Sequence, residues 1–249
     1  MSRRDSMLRE MGIAPLWRDR ASPSPQQEAL PNAQAPVAPV RVEAAVARPV
    51  TPVVTPVAAP STAVSAAGLG WDELEQRIRA CQACRLSERR TQAVPGVGDR
   101  EADWLFVGEG PGAEEDARGE PFVGQAGKLL DAMLASLGLA RGQNVYIANA
   151  VKCRPPGNRT PEADEIATCH PYLDRQIELI RPRIIVALGR PAAQTLLGGE
   201  IKIAAARGRL FQRKGVPVVV TYHPAYLLRN PQDKARAWED LCFARDSVV

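Results

Sequence analysis

The sequence predicts a three-layer α/β/α fold with a mostly parallel, four-stranded central sheet, preceded by a disordered tail rich in proline and alanine. Three observations favour this class. Apolar runs typical of strands alternate with amphipathic helical segments, short polar blocks follow several of those runs, and the composition changes abruptly near residue 68. Alternating strands and helices form parallel sheets, because parallel neighbours need crossover connections whose helices cover both faces.

The apolar runs and the helical periodicity place the elements in order. The four predicted strands are 104–107, 145–148, 184–188 and 216–221. An amphipathic segment from Trp71 to Cys81 predicts a helix ahead of them. Apolar residues at helical spacing predict the later helices, over 126–137, after Pro161, from Pro191 and over about 232–245.

The domain organisation follows from composition. Between Ser22 and Ala66 there are nine prolines, eleven alanines, four charged residues and no aromatic residue. Such a segment buries too little apolar surface to offset the entropy of ordering, so residues 22–67 are predicted to be a disordered linker. Residues 1–21 form a short peptide that could be helical, and its apolar cluster within 5–20 is either a docking site for a protein partner or a frayed terminus. The folded domain is predicted over 68–249.

Charge and targeting signals exclude several classes of protein. Residues 68–249 hold 25 basic and 23 acidic side chains, so any phosphate binding must come from a local patch rather than from the overall field. No apolar run is long enough to cross a bilayer and the N-terminus lacks a secretory signal, so we expect a cytoplasmic protein without membrane contact. The glycine patterns of nucleotide-binding loops are absent, which disfavours a nucleotide cofactor. Nothing in the sequence indicates more than a monomer.

Four cysteines form a candidate metal site. Cys81 and Cys84 make a C-x2-C hook, whereas Cys153 and Cys169 can join them only through the fold. In a reducing compartment such thiols are more often ligands than disulfides. Four thiolates suit zinc or an iron–sulfur cluster, and the spacing does not discriminate between them. The alternative is that Cys153 and Cys169 are buried free thiols, as is expected of Cys242 on the last helix.

Three polar blocks follow predicted strands: GEGPG at 108–112, NAVKCRPP at 149–156 and HPAYLLR at 223–229. The carboxyl ends of parallel strands form the ligand crevice of open α/β sheets, so one pocket should collect all three blocks. Glu109 lies between glycines in the first block. Asn149 offers an amide that could read the edge of a pyrimidine, although an asparagine at a strand end also forms turns. His223 is one of two histidines and is a candidate catalytic group.

Further candidates surround these blocks. Phe122 lies in a glycine-rich loop, where an aromatic ring can stack on a flat ligand. Glu114 and Asp116 are expected to lie in a solvated charged loop, and His170 to be structural. Four side chains could hold phosphates or could simply be solvated: Arg154, Asn158, Arg159 and Arg229.

Five blocks follow one another along the chain: the C-x2-C hook, GEGPG, GEPFVGQAGKLLD, NAVKCRPPGNRTP and HPAYLLR. With these blocks in this order, the sequence resembles the family 4 uracil-DNA glycosylases, the iron–sulfur branch of the uracil-DNA glycosylase superfamily. The resemblance covers about Trp71 to the C-terminus. It implies a [4Fe–4S] cluster on four ligands: Cys81, Cys84, Cys153 and Cys169. It also implies a uracil pocket in which Glu109 and His223 are catalytic and which consists of Glu109, Gly110, Phe122, Asn149 and His223.

The implied activity is hydrolysis of the N-glycosidic bond of deoxyuridine, which releases uracil from DNA and leaves an abasic site for base excision repair. Single-strand-crosslinking relatives carry GEQPG and a basic loop with a histidine. Here the first block is GEGPG, and the corresponding segment, AAARGRLFQRKG, contains no histidine. Family 1 enzymes have an aspartate in the first block, which GEGPG lacks, so the water-activating group is not identified. Two alternatives stay open: a non-catalytic DNA-damage-binding module, and a glycosylase with a broader range of deaminated bases.

Overall fold

A computed structural model describes residues 64–248. Its strands are β1 (Val97–Gly98), β2 (Trp104–Gly108), β3 (Val145–Asn149), β4 (Ile184–Leu188), β5 (Leu210–Arg213) and β6 (Val216–Thr221). Its α-helices are α1 (Trp71–Ala80), α2 (Ala113–Arg118), α3 (Gln125–Ser136), α4 (Ala163–Ile180), α5 (Arg190–Leu197), α6 (Ile203–Ala206), α7 (Pro224–Arg229) and α8 (Lys234–Asp246). Short 3-10 helices cover Arg85–Glu88, Pro156–Asn158 and Pro231–Asp233.

The described strands form one sheet with the order β1-β3-β2-β4-β6-β5. Its four central strands are parallel, which confirms the predicted parallel core. The predicted number of strands is wrong, because β1 and β5 add antiparallel edges. Neither edge has the apolar run that reveals a buried strand: β1 is two residues long, and β5 is partly exposed.

Helices cover both faces of the sheet, which confirms the three-layer prediction. Every residue of β2, β3 and β4 is buried, as expected of parallel strands covered on both sides. One face packs against α4 and α5 through residues such as Leu173 and Leu196. The other face packs against α3 and α8 through residues such as Leu130 and Leu241. No helix within residues 64–248 has the length and apolar character to cross a membrane.

The helix α1 packs against α4 and the loop that follows β3, and its first residue, Trp71, contacts the ring of Tyr146 on β3. Leu74 and Ile78 of α1 are fully buried there with Tyr172 and Val151. Ala66, which the sequence analysis assigns to the linker, is buried in the same cluster. Residues 1–63 lie outside the described range, so the N-terminal peptide and most of the linker stay predictions.

Asp116 corrects an expectation from the sequence. It is only 3% exposed, and its two carboxylate oxygens accept the backbone N–H of Thr91 at 2.9 and 3.0 Å. The bond ties α2 to the loop that follows the C-x2-C hook, so the prediction of a solvated side chain is wrong. Glu114 is exposed, as predicted, but both residues lie on the helix α2 rather than in the predicted loop.

Candidate active site

A cleft of about 730 Å³ opens at the carboxyl ends of the four parallel strands. Glu109 follows β2, Asn149 ends β3, Gly189 follows β4 and His223 lies two residues after β6. The register places the ends of neighbouring strands side by side, since Gly108 pairs with Asn149 and Leu188 with Thr221. The three polar blocks therefore meet at one crevice, as the sequence predicts.

Most of the candidate site residues line this cleft, namely Glu109, Gly110, Phe122, Asn149, Asn158, Arg159, His223 and Arg229. Arg154 does not line it. Its Nε atom donates a hydrogen bond of 2.8 Å to Oδ1 of Asn158, at the outer end of the loop. Lining residues that the sequence analysis did not assign to the site include Arg190, Tyr222 and Tyr226.

Asn149 lines the cleft and carries a buried acceptor without a partner within residues 64–248. The residue is 2% exposed, and its Oδ1 atom has no hydrogen-bond partner among the described residues. A buried carbonyl oxygen without a partner is costly, about 1–3 kcal/mol, so the site is built for a donor that a ligand would supply. The backbone is held from behind, because the buried Lys152 ammonium donates to the carbonyl oxygen of Asn149 at 2.9 Å.

Phe122 is held in an uncommon backbone conformation beside Asn149. Its φ angle is +56°, in the left-handed region that favours glycine. Arg141 stabilises this conformation, because its guanidinium donates to the carbonyl oxygens of Pro121 and Phe122 at 2.7 and 2.8 Å. A Cβ atom on Gly127 would lie 1.7 Å from the carbonyl oxygen of Phe122, so helix α3 needs a glycine at this contact.

Gly108 allows the side chains of Asn149 and Phe122 to approach the backbone of β2. A Cβ atom at this position would lie 2.4 Å from Oδ1 of Asn149 and 2.6 Å from Cζ of Phe122. Glycine is therefore required where the GEGPG block begins, because a methyl group would displace both side chains.

His223 is neutral and has a defined tautomer. Burial, followed by the positive charge of Arg229, lowers the pKa of His223 to about 4, against a smaller opposing effect of Glu115. The Nδ1 atom accepts the backbone N–H of Ala225 at 3.1 Å, so the ring proton is on Nε2. Its ring lies 5.4 Å from that of Phe122, centroid to centroid, at 29°. The two rings form one wall of the cleft, with Nε2 as a hydrogen-bond donor.

Glu109 carries a perturbed carboxyl group. Burial raises its pKa above the ordinary value, against the lowering effects of a hydrogen bond with Thr160 and of the nearby Arg190. A raised carboxyl pKa in a cleft is typical of catalytic acids and bases. Glu115 is structural, because its carboxylate accepts the backbone N–H groups of Gly112, Val123 and Gly124 and so joins two loops of the cleft.

The candidate phosphate ligands differ in their availability. Arg159 donates two hydrogen bonds, of 2.8 and 2.7 Å, to the fully buried carboxylate of Glu165, so its guanidinium stabilises the loop after β3. Arg229 is exposed at the end of α7 and Arg190 begins α5, and both line the cleft. Arg190 lies two residues after the end of an apolar strand, and that position is the signal in the sequence that could have identified it.

The four candidate ligand cysteines line one small pocket between α1, the loop after β3 and α4. Cys153 and Cys169 are buried, and Cys81 and Cys84 are half-buried. The Nη1 atom of Arg90 donates to Sγ of Cys153 at 2.9 Å, and the backbone N–H of Lys152 donates to Sγ of Cys169 at 3.2 Å. Cys242 lies on α8, outside this pocket.

Comparison with known proteins agrees with this geometry. The uracil DNA glycosylase superfamily model matches residues 95–242. A type-4 uracil-DNA glycosylase of Archaeoglobus fulgidus is 47% identical over 169 residues, which are 65% of this chain and 84% of that protein. One of Sulfurisphaera tokodaii is 46% identical over 187 residues, 72% and 84% of the two chains. A type-5 uracil-DNA glycosylase of Pyrobaculum aerophilum is 34% identical over 194 residues, 65% and 85%.

The extent of these matches includes all four strand ends and the cleft between them. The higher identity to the type-4 proteins agrees with the order of the sequence blocks. This chain belongs to the uracil-DNA glycosylase superfamily and, within it, to the type-4 uracil-DNA glycosylases.

Proposed function

We propose that the protein is a DNA repair glycosylase that hydrolyses the bond between uracil and deoxyribose and leaves an abasic site. The observation that carries the proposal is the unpaired, buried Oδ1 of Asn149. It lies beside the stacked rings of Phe122 and His223, and the neutral His223 offers Nε2–H as a donor. A base stacked in a duplex cannot reach this cleft, so the nucleotide must rotate out of the helix, at a cost of roughly a few kcal/mol.

Asn149 provides selectivity for uracil. Its Oδ1 atom accepts from N3–H of uracil, and its amide group donates to O4. Cytosine presents the reversed pattern, with a donor at position 4 and an acceptor at N3, so it would leave buried groups unpaired. Phe122 provides a flat surface against which the base can stack.

His223 stabilises the leaving group. As the glycosidic bond breaks, negative charge develops on uracil, and Nε2–H of His223 donates a hydrogen bond to O2. The neutral imidazole suits this role, because its single ring proton is already directed by the bond from Ala225 to Nδ1. Glu109, which follows β2 in the same cleft, positions water or opposes the positive charge that develops on the sugar.

The pH dependence of the reaction should separate the two titratable groups. Glu109 acts ionised and its pKa is raised, so the rate should fall as the pH drops through a midpoint above 4.5. The titration of His223 should not change the rate near pH 6.5, because its pKa is lowered to about 4. The measurement is kcat/KM for uracil release from pH 4.5 to 9. In Glu109→Gln the rate should be lower and independent of pH above about 5; a remaining midpoint near 6.5 would show that His223 titrates instead.

The proposed activity is tested with the purified protein and three oligonucleotide duplexes, which contain uracil, hypoxanthine or a thymine mismatch. Alkaline cleavage after incubation reports abasic sites. A strand break only with uracil supports the proposal, and breaks with hypoxanthine or thymine identify a glycosylase of broader range. Binding of damaged DNA without any strand break would favour a non-catalytic module and overturn the proposal.

We also propose that the four cysteines hold a [4Fe–4S] cluster. They line one pocket without a competing acidic side chain, and two N–H groups already donate to their sulfur atoms. Four thiolates are the usual ligand set of such a cluster. When bound, the cluster would act as a structural crosslink between the hook, β3 and α4.

Replacing one ligand should remove the cluster and lower stability. Cys169→Ser should lose the broad visible absorbance near 400 nm, lose most of the iron and sulfide, and unfold at a lower temperature, since a structural metal site contributes folding free energy. The matched control is Cys242→Ser, which should retain iron, colour and melting temperature. Full iron content in Cys169→Ser would contradict the ligand assignment, and zinc in place of iron in the parent protein would contradict the cluster.

A further inference from the structure

Two tyrosines on the rim of the cleft have no role in the proposed recognition of uracil. Tyr222 and Tyr226 both line the cleft and are half-buried. Their rings are stacked, with centroids 5.2 Å apart and planes at 12°. The guanidinium of Arg207 lies over the ring of Tyr222, 5.4 Å from its centroid. These three groups form an ordered stack, which we call the tyrosine stack.

Both ends of the tyrosine stack are fixed by buried acids. Arg207 donates to the carboxylate of Asp240, which is 2% exposed and also accepts from Thr221. The hydroxyl of Tyr226 donates to Oδ2 of Asp233 at 2.8 Å, and Asp233 is itself buried. The rings are therefore held in place before any ligand arrives, which lowers the entropy lost on binding.

The hydroxyl of Tyr226 is already used by Asp233, so the side chain offers its ring face rather than its polar end to a ligand. A flat aromatic face in a nucleic-acid cleft binds another flat ring, and every nucleobase has one. Arg229 lies three residues after Tyr226 and is exposed on the same short helix, where its guanidinium can donate hydrogen bonds to the phosphate that connects two nucleotides.

The position of the stack matches the spacing along a DNA strand. Tyr226 is three residues from His223, and its backbone N–H donates to the carbonyl oxygen of His223 at 2.9 Å. His223 is the N-cap residue of α7 and Tyr226 lies in the first turn of this helix, so both side chains line the same part of the cleft. Successive nucleotides of one strand rise by about 3.4 Å and by more when they are unstacked, so the neighbour of a uridine held at His223 comes within reach of Tyr226.

We propose that the tyrosine stack is a second base-binding subsite, in which Tyr226 stacks on the unpaired nucleobase adjacent to the everted uridine. This inference rests on the proposed glycosylase activity and extends it to substrate preference. The favoured substrate is a strand in which the base next to the uridine can unstack from the DNA. Single-stranded and mismatched DNA are therefore processed faster than fully paired DNA.

The test compares single-stranded oligonucleotides that carry one uracil and either a normal base or an abasic tetrahydrofuran residue on its 5′ or 3′ side. With the parent protein, removing the base on one of the two sides should lower kcat/KM between about fivefold and a hundredfold. In Tyr226→Leu, which removes the aromatic face, the same change of substrate should have no effect. Tyr226→Phe, which keeps the ring, should behave like the parent protein.

A second readout does not depend on turnover. A 2-aminopurine next to an uncleavable 2′-fluoro-deoxyuridine should lose fluorescence on binding the parent protein and Tyr226→Phe, but not Tyr226→Leu. Thermal unfolding of each variant separates loss of stacking from loss of fold. Equal kcat/KM for the parent protein on all strands, together with unchanged 2-aminopurine fluorescence, would overturn the subsite. No release of uracil from any strand would instead overturn the proposed activity.

Discussion

Replacing His223 with alanine should lower kcat for uracil release by about 10²–10³-fold, the loss that follows removal of one preorganised donor to a developing anion. The effect should fall on kcat rather than on DNA binding, because the Nε2–H donor strengthens its bond mainly as negative charge develops on O2. Single-turnover assays with saturating protein measure the chemical step directly.

The control for this variant is the second histidine. His170 lies on α4 against Arg213 and Asp174, away from the cleft, and His170→Gln should retain the parent rate. His223→Ala should keep the parent melting temperature within a few degrees, since the ring lies at the cleft wall and its loss leaves a solvent-accessible space. A His223→Ala rate close to that of the parent protein would remove the imidazole from the mechanism.

Asn149→Ala should lower kcat/KM for uracil by about 10²–10⁴-fold, because two hydrogen bonds in a buried site are lost together. It should also reduce selectivity. The parent protein rejects cytosine through the reversed pattern of donor and acceptor, and the alanine variant has no amide with which to enforce that difference.

The measurement is the ratio of kcat/KM values for strands that differ only in uracil or cytosine at one position. The ratio should fall in Asn149→Ala, chiefly through loss of the reaction with uracil. Because the buried Oδ1 has no partner among the described residues, its removal should not lower the melting temperature. An unchanged ratio would show that another group reads the edge of the base.

The central part of the fold could be predicted from the sequence because its strands are buried on both faces. Continuous apolar runs such as 184–188 are recognisable without any partner, and the polar blocks that follow them must then meet at one edge of the sheet. The edge strands β1 and β5 could not be predicted in this way. Their pairing is decided by the neighbouring strands β3 and β6 rather than by their own composition.

Long-range partners explain the other differences. Asp116 looks like one member of a solvated acidic run, but its partner is the N–H of Thr91, 25 residues earlier. Arg159 looks like a free phosphate ligand, whereas the buried Glu165 in the first turn of α4 accepts hydrogen bonds from both of its terminal nitrogens. The sequence does not assign Tyr226 to the site, because its proposed role depends on its stacking with Tyr222. No spacing rule for phosphate or metal sites predicts that contact.

The most direct test of the account is a crystal structure of the protein with free uracil. We expect the base in the cleft at the carboxyl ends of the parallel strands, against the ring of Phe122, with N3–H donating to Oδ1 of Asn149 and O2 accepting from Nε2 of His223. Uracil bound elsewhere, or a Oδ1 atom of Asn149 that stays unpaired while the base occupies the cleft, would contradict it.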